Sequence, residues 1–220
     1  MIRALAVTVS NRAAAGVYED RSGPVLVELL RQAGCDVVDG PLVIPDGEAV
    51  EQVLRDSVTA GYDVAVTTGG TGLTPTDQTP EMTRRVIDRE IPGIAESLRG
   101  AGAAAGVPSA ILSRGLAGVA SRTLIVNLPG SSGGVRDGMT VLRQVLVHAV
   151  DQIRGGDHPR PAAEHGHPEH EHPEHENGKP GHAEHTHPEH EHTGRDHAER
   201  SPAGHDEEHH EHAHAPADSE

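Results

Sequence analysis

The sequence predicts an α/β fold with a mostly parallel central sheet, and three observations carry that prediction. Short apolar runs rich in β-branched residues at residues 4–9 and 62–68 have the pattern of strands buried on both faces, and residues 36–44 and 123–130 supply two further strand-like runs. Stretches with apolar residues at helical spacing separate these runs. Glycine-containing turns follow directly on the third and fourth runs, as strand-to-helix connections require.

In chain order, ALAVTV (4–9) is the first strand, and a polar loop leads to Ser22, placed to cap a helix. That helix carries Val25, Leu26, Leu29 and Leu30 on one stripe, and Gly34 stops it. DVVDGPLVI (36–44) is a second strand, interrupted at Gly40-Pro41. Asp46 stands where the next helix needs an N-cap, before the stripe Val50, Val53, Leu54 and Val58. YDVAVTT (62–68) is a third strand running straight into TTGGTGLTPTDQTPE (67–81). Within that loop, Thr79-Pro80-Glu81 restarts a helix with a capping hydroxyl, a first-turn proline and an acid that suits the helix dipole. A proline also opens the helix expected at 92–105, TLIVNLPG (123–130) is a strand with a tight turn, and residues 135–154 form the closing helix.

Composition divides the 220 residues in two. Residues 1–154 hold 14 Arg, no Lys and 17 acids, a net charge of −3; residues 155–220 hold 4 basic residues and 17 acids, a net charge of −13. The second part has 17 of the 18 histidines, eight of the 16 prolines and no Val, Leu or Ile, so it is expected to be a disordered tail behind one folded domain. With Tyr18 and Tyr62 the only aromatics and no basic excess, base stacking and nucleic-acid binding are disfavoured. The single Cys35 excludes an intramolecular disulfide and reads as a small buried residue. Neither a signal peptide nor a run of about 18 apolar residues is evident, which leads to the expectation of a cytoplasmic protein without a membrane partner.

In a parallel sheet the loops leaving strand C-termini share one edge, where ligands bind. Loops 10–22, 68–79 and 128–134 meet that description, and Asp46, just after the second strand, lies at the same edge. Thr68, Gly69, Gly70, Thr71 and Gly72 offer closely spaced amides and two hydroxyls, a nest for an anion such as phosphate or a plain glycine turn. The segment is neither a Walker A loop, lacking its Gly-Lys-Ser/Thr ending, nor a dinucleotide fingerprint. Asp77 fits a turn acid or a metal ligand, and Asp46 an N-cap or a metal ligand; together they would suit Mg²⁺ holding a triphosphate. Without lysine, Schiff-base chemistry is excluded from the domain, and its only histidine, His148, reads as packing in the closing helix. A domain so poor in neutral-pH bases suits phosphoryl or nucleotidyl transfer onto an already ionised phosphate.

Taken together, TVSNRAAAGVYEDRSGP (8–24), VIPD (43–46), TTGGTGLTPTDQTPE (67–81), IPGIAESLR (91–99), LSRGLAGV (112–119) and LIVNLPGSSGGV (124–135) resemble the MoaB/Mog family of molybdenum-cofactor biosynthesis proteins. The resemblance covers residues 1–154. It implies a three-layer αβα molybdopterin-binding fold, a homotrimer, and adenylylation of molybdopterin by ATP with release of pyrophosphate. Asp46 and Asp77 match the family's two functional acids, expected to support Mg²⁺ and substrate positioning; Thr68 to Gly72 match its glycine loop. Ser97 and Ser113 match hydroxyls of the pterin site, and Arg114 would contact a phosphate or dithiolene or else make an ion pair. Ser10, Asn11, Pro129, Gly130 and Ser131 match the nucleotide side, with Asn11 replacing the usual Asp and Ser132 the usual Pro. A molybdenum-insertion protein would be the downstream partner. The family also includes members that hold the pterin without efficient transfer, so a non-catalytic molybdopterin-binding protein is the alternative.

The tail suggests a further alternative, metal buffering or delivery. HPEHEH occurs at 167–172 and 187–192, making His167, His170, His172, His187, His190 and His192 candidate ligands for Zn²⁺, Ni²⁺ or Cu²⁺. Protonation of the 17 tail imidazoles would carry its charge from −13 toward +4, so any such affinity is expected to fall below about pH 6.

Overall fold

The computed structural model describes residues 1–156; the histidine-rich segment that follows, with its candidate metal ligands, lies outside the described residues. Six strands are built in chain order: Arg3–Val9 (β1), Val37–Ile44 (β2), Val64–Thr68 (β3), Arg89–Glu90 (β4), Ala117–Ala120 (β5) and Thr123–Leu128 (β6). They form one sheet in the spatial order β2-β1-β3-β6-β5-β4. β1 pairs in parallel with β2 and β3, and β3 with β6, whereas β5 runs antiparallel to β6 and β4 to β5. The helices are Asn11–Ala14 (α1), Ser22–Gln32 (α2), Glu48–Thr59 (α3), Thr79–Arg84 (α4), Pro92–Ala104 (α5) and Ser132–Ile153 (α6), with a 3-10 turn at Pro108–Leu112.

Strand periodicity builds three layers. Ala4, Ala6, Val64, Val66, Leu124 and Val126 pack with Leu26 and Leu30 of α2, Met139, Leu142 and Leu146 of α6, and Leu98 of α5. The alternate residues Leu5, Val7, Ala65 and Ile125 pack with Val50 and Leu54 of α3 and Met82 of α4. Helices therefore cover both faces, and β1, β3 and β6 are buried as their apolar runs require, whereas the edge strand β2 is partly exposed.

Strand order also places the ligand edge. After β1 the chain adds β2 on one side and β3 on the other, so the direction of winding reverses between β1 and β3. In open α/β sheets a crevice opens outside the carboxyl ends of two such strands. The loops after β1 and β3 border it, and the turn after β6 closes it from the next strand over.

Several local expectations are corrected. Ser22 is the first residue of α2 rather than its cap; Asp20 Oδ1 accepts from the amides of Ser22 (2.9 Å) and Gly23 (3.0 Å). A carboxylate two residues upstream thus satisfies two donors that one hydroxyl cannot. Asp46 does not cap α3, whose N-cap is Gly47, and Thr79 lies inside α4, with its hydroxyl donating to Asp46 Oδ1 (3.1 Å). β2 continues through Gly40-Pro41, a cis peptide bond, with an irregular register opposite Leu5 and Val7. α6 begins at Ser132, capped by Ser131, three residues before the expected start. The antiparallel pair β4 and β5 was not anticipated: Ala117–Ala120 is four residues of AGVA, too short and too small to show a strand period.

Cys35 is 4% exposed. Burial, and then the Asp36 and Asp63 charges, push its thiol up to about 11. The folded protein therefore holds this proton more tightly than the unfolded chain. The stability this confers is present below the ordinary thiol value and is lost as pH rises toward 11. Iodoacetamide labelling of Cys35 at pH 8 is accordingly expected to be at least about 100-fold slower in the native protein than in denaturant; equal rates would contradict the buried placement.

Candidate active site

β3 ends at Thr68, and the chain turns sharply at Gly69, whose φ is 105°. The Gly69 amide donates to Leu128 O (3.0 Å), and the Thr68 hydroxyl donates to Pro129 O (2.7 Å). These bonds stitch the glycine loop to the turn after β6. The Thr79 amide donates back to Gly70 O (3.2 Å) and closes the loop on itself. The amides of Gly70, Thr71 and Gly72 have no protein acceptor among the described residues, which leaves three donors available to an incoming anion.

Two cavities meet at this loop. One, of about 700 Å³, is walled by Ala95 and Leu98 of α5 with Val107 and Leu112; Arg99, Ser113, Asn127 and Asp137 add polar groups. The other, of about 800 Å³, is polar, lined by Ser10, Asn11, Arg12, Arg21, Asp46 and Thr74. Gly69, Gly70, Asp77, Gly130 and Ser131 line both. Ser131 caps the 22-residue α6 by accepting from the Gly134 amide (3.0 Å), so the N-terminal dipole of a long helix adds to the glycine amides at the junction.

Each acid is held by neutral donors. Asp46 Oδ1 accepts from the Gly47 amide (2.8 Å) and the Thr79 hydroxyl, Oδ2 from the Gln78 amide (3.0 Å), and its own amide donates to Asn11 Oδ1 (2.9 Å). Asp77 Oδ2 accepts from the Thr74 hydroxyl (2.7 Å) and amide (3.1 Å), while Oδ1 has no partner among the described residues. Neither carboxylate forms a salt bridge among the described residues. Both carboxylates are half-buried and line the polar cavity.

The remaining candidates divide. Ser10 caps α1 and shares a hydrogen bond with the Tyr18 hydroxyl (2.8 Å), and the Arg12 guanidinium lies 4.9 Å from the centre of that ring. Ser113 lines the apolar-walled cavity, where its Oγ accepts from the Gly115 amide (3.3 Å). Ser97 is exposed on α5 and lines neither cavity. Arg114 also lines neither; its fork donates to Gly72 O (2.7 Å), Asp77 O and the Glu81 carboxylate. Arg99 was missed: its guanidinium donates to Gly115 O (3.0 Å) on the cavity wall. A signal existed, because Ala95, Leu98, Arg99 and Gly102 stand at i, i+3, i+4 and i+7 on one face of α5.

Residues 5–148 match the family described as "Probable molybdopterin binding domain". The chain is 40% identical over 134 residues to the molybdopterin adenylyltransferase of Haemophilus influenzae, covering 60% of this chain and 68% of that protein. The chain belongs to the MoaB/Mog family of molybdenum-cofactor biosynthesis proteins. A Synechococcus elongatus molybdenum cofactor biosynthesis bifunctional protein is 34% identical over 155 residues; this MoaB/Mog chain has 70% of its length in that match but spans only 48% of the relative. The solved Mog protein of Mycobacterium ulcerans superposes with a TM-score of 0.66 at 50% identity, covering 70% of this chain and 99% of that one. Both cavities of this MoaB/Mog domain fall within the matched residues. None of the helices among the described residues is long and apolar enough to cross a membrane.

Proposed function

We propose that this chain adenylylates molybdopterin with ATP, with Asp46 and Asp77 at the junction where the two substrates meet. The observation that carries this reading is the pairing of an apolar-walled cavity with a polar one across a shared glycine loop that also bears Asp77. A fused-ring pterin suits the first cavity, a triphosphate the second, and the amides of Gly70 to Gly72 suit a phosphate at their border. Relatives named molybdopterin adenylyltransferase support the same assignment.

An oxygen of the molybdopterin phosphate would form a bond to the α-phosphorus of ATP as the α–β anhydride bond breaks and pyrophosphate departs. The nucleophile is already ionised, so no side chain need remove a proton, and the work of the residues is alignment. The glycine amides and the N-terminus of α6 orient the phosphates, Arg12 and Arg21 balance negative charge in the polar cavity, and the walls of α5 exclude water from the pterin.

The residues fit Mg²⁺. Both acids offer carboxylate oxygens to the polar cavity, and Asp77 Oδ1 has no partner among the described residues. A site of two carboxylates completed by substrate phosphates is the usual way this ion is held. Bound there by Asp46 and Asp77, it would supply charge neutralisation of the triphosphate.

Purified full-length protein incubated with molybdopterin, ATP and Mg²⁺ is expected to yield adenylylated molybdopterin and one equivalent of pyrophosphate, followed by mass spectrometry. Bound pterin with neither product, in a folded protein, would refute the transferase assignment. A cytoplasmic homotrimer that passes its product to a molybdenum-insertion protein completes the reading, and sedimentation equilibrium tests the trimer.

A further inference from the structure

We propose that Arg114 is a positioning residue that sets the shape of the Asp77 loop, and not a contact to a substrate phosphate. The inference rests on the reading of Asp77 as the acid at the reaction junction. Arg114 reaches both ends of one loop at once. Its Nε donates to the carbonyl of Gly72 (2.7 Å), where the glycine run ends, and its Nη2 to the carbonyl of Asp77 itself. Its Nη1 pairs with Glu81 in the first turn of α4, and its amide donates to Thr71 O (2.9 Å). Leu73 to Thr76, between these anchors, are exposed.

Every hydrogen bond of the fork thus goes to the loop or to the helix that follows it. The side chain lines neither substrate cavity and borders instead a separate shallow depression, which it shares with Leu73, Gln78 and Arg85. Glu81 supports the assignment: its Oε1 pairs with Arg114, while its Oε2 has no partner among the described residues. Removing the guanidinium would free the loop at Gly72 and Asp77 and cut its tie to the first turn of α4. A planar fork reaches three acceptors in fixed directions, which an ammonium cannot reproduce. Because Ser113 next to it lines the apolar-walled cavity, Arg114 ties the wall of that cavity to the residue carrying the acid.

The test is hydrogen–deuterium exchange on the full-length protein. Arg114→Ala is expected to speed exchange of the hydrogen-bonded loop amides, those of Thr74, Asp77 and Gln78, by at least about tenfold, with Arg114→Lys intermediate and the core strands unchanged. Molybdopterin binding should persist, while the Mg²⁺ concentration needed for half-maximal turnover rises and kcat falls. Unchanged protection of the loop, or loss of molybdopterin affinity with protection intact, would overturn the proposal. Should Arg114→Ala not fold, Glu81→Gln and Arg114→Lys carry the same exchange readout, and an unperturbed loop in both overturns it equally. If the wild type makes no adenylylated molybdopterin, the functional reading fails but the exchange result still decides the role of Arg114.

Discussion

Asp77→Asn is expected to reduce adenylylation by at least about 10²-fold while leaving molybdopterin binding unchanged. The substitution is nearly isosteric, and an amide oxygen can still accept the bonds from the Thr74 amide and hydroxyl that hold the turn. Asp77 borders the pterin-side cavity, but the apolar walls come from Ala95 and Leu98 of α5 with Val107 and Leu112, which do not depend on this charge. What disappears is the negative charge at the point common to both cavities, together with a full share of the affinity for a divalent cation. Turnover measured across a Mg²⁺ titration, beside direct titration of molybdopterin fluorescence, separates the two effects. Wild-type turnover in the Asp77→Asn protein would remove Asp77 from the chemistry, and loss of the pterin from it would make Asp77 a binding residue.

The ligand edge was legible because it depends on strand order, which the alternation of buried runs and helical stripes nearly determines. Thr68 at the end of β3 and Asp46 after β2 fall at that edge for any parallel sheet wound this way. Hydrogen-bond ownership was less legible. Ser22 and Asp20 both sit where a cap can form, and only the geometry shows the carboxylate taking two amides and the Thr8 hydroxyl as well. Asp46 looked like a local cap but reaches 32 residues along the chain to the Gln78 amide. Arg114 is the sharpest case: its acceptors include two backbone carbonyls, groups every residue possesses, so no pattern of side chains could announce them.

Gly69→Ala tests the scaffold rather than the chemistry, and it is expected to destabilise the domain by about 3 kcal/mol, from backbone strain and steric overlap together. A Cβ at residue 69 would lie 2.2 Å from the carbonyl oxygen of Val9, a backbone atom at the end of β1 that cannot swing aside. Its φ of 105° is itself outside the range that side chains favour. Gly61 separates the two causes, because its φ of 74° is also positive but a Cβ there meets nothing within 4 Å. Gly61→Ala should therefore show the backbone penalty alone, about 1 kcal/mol. For a domain of this size the Gly69 variant should melt roughly 6–12 °C below wild type, and its loss should exceed that of Gly61→Ala in denaturant titrations. Equal losses would mean that β1 and the glycine loop can move apart. The junction of the two cavities would then be a flexible seam, and the close approach of Val9 to Gly69 could not be what fixes the two acids relative to each other.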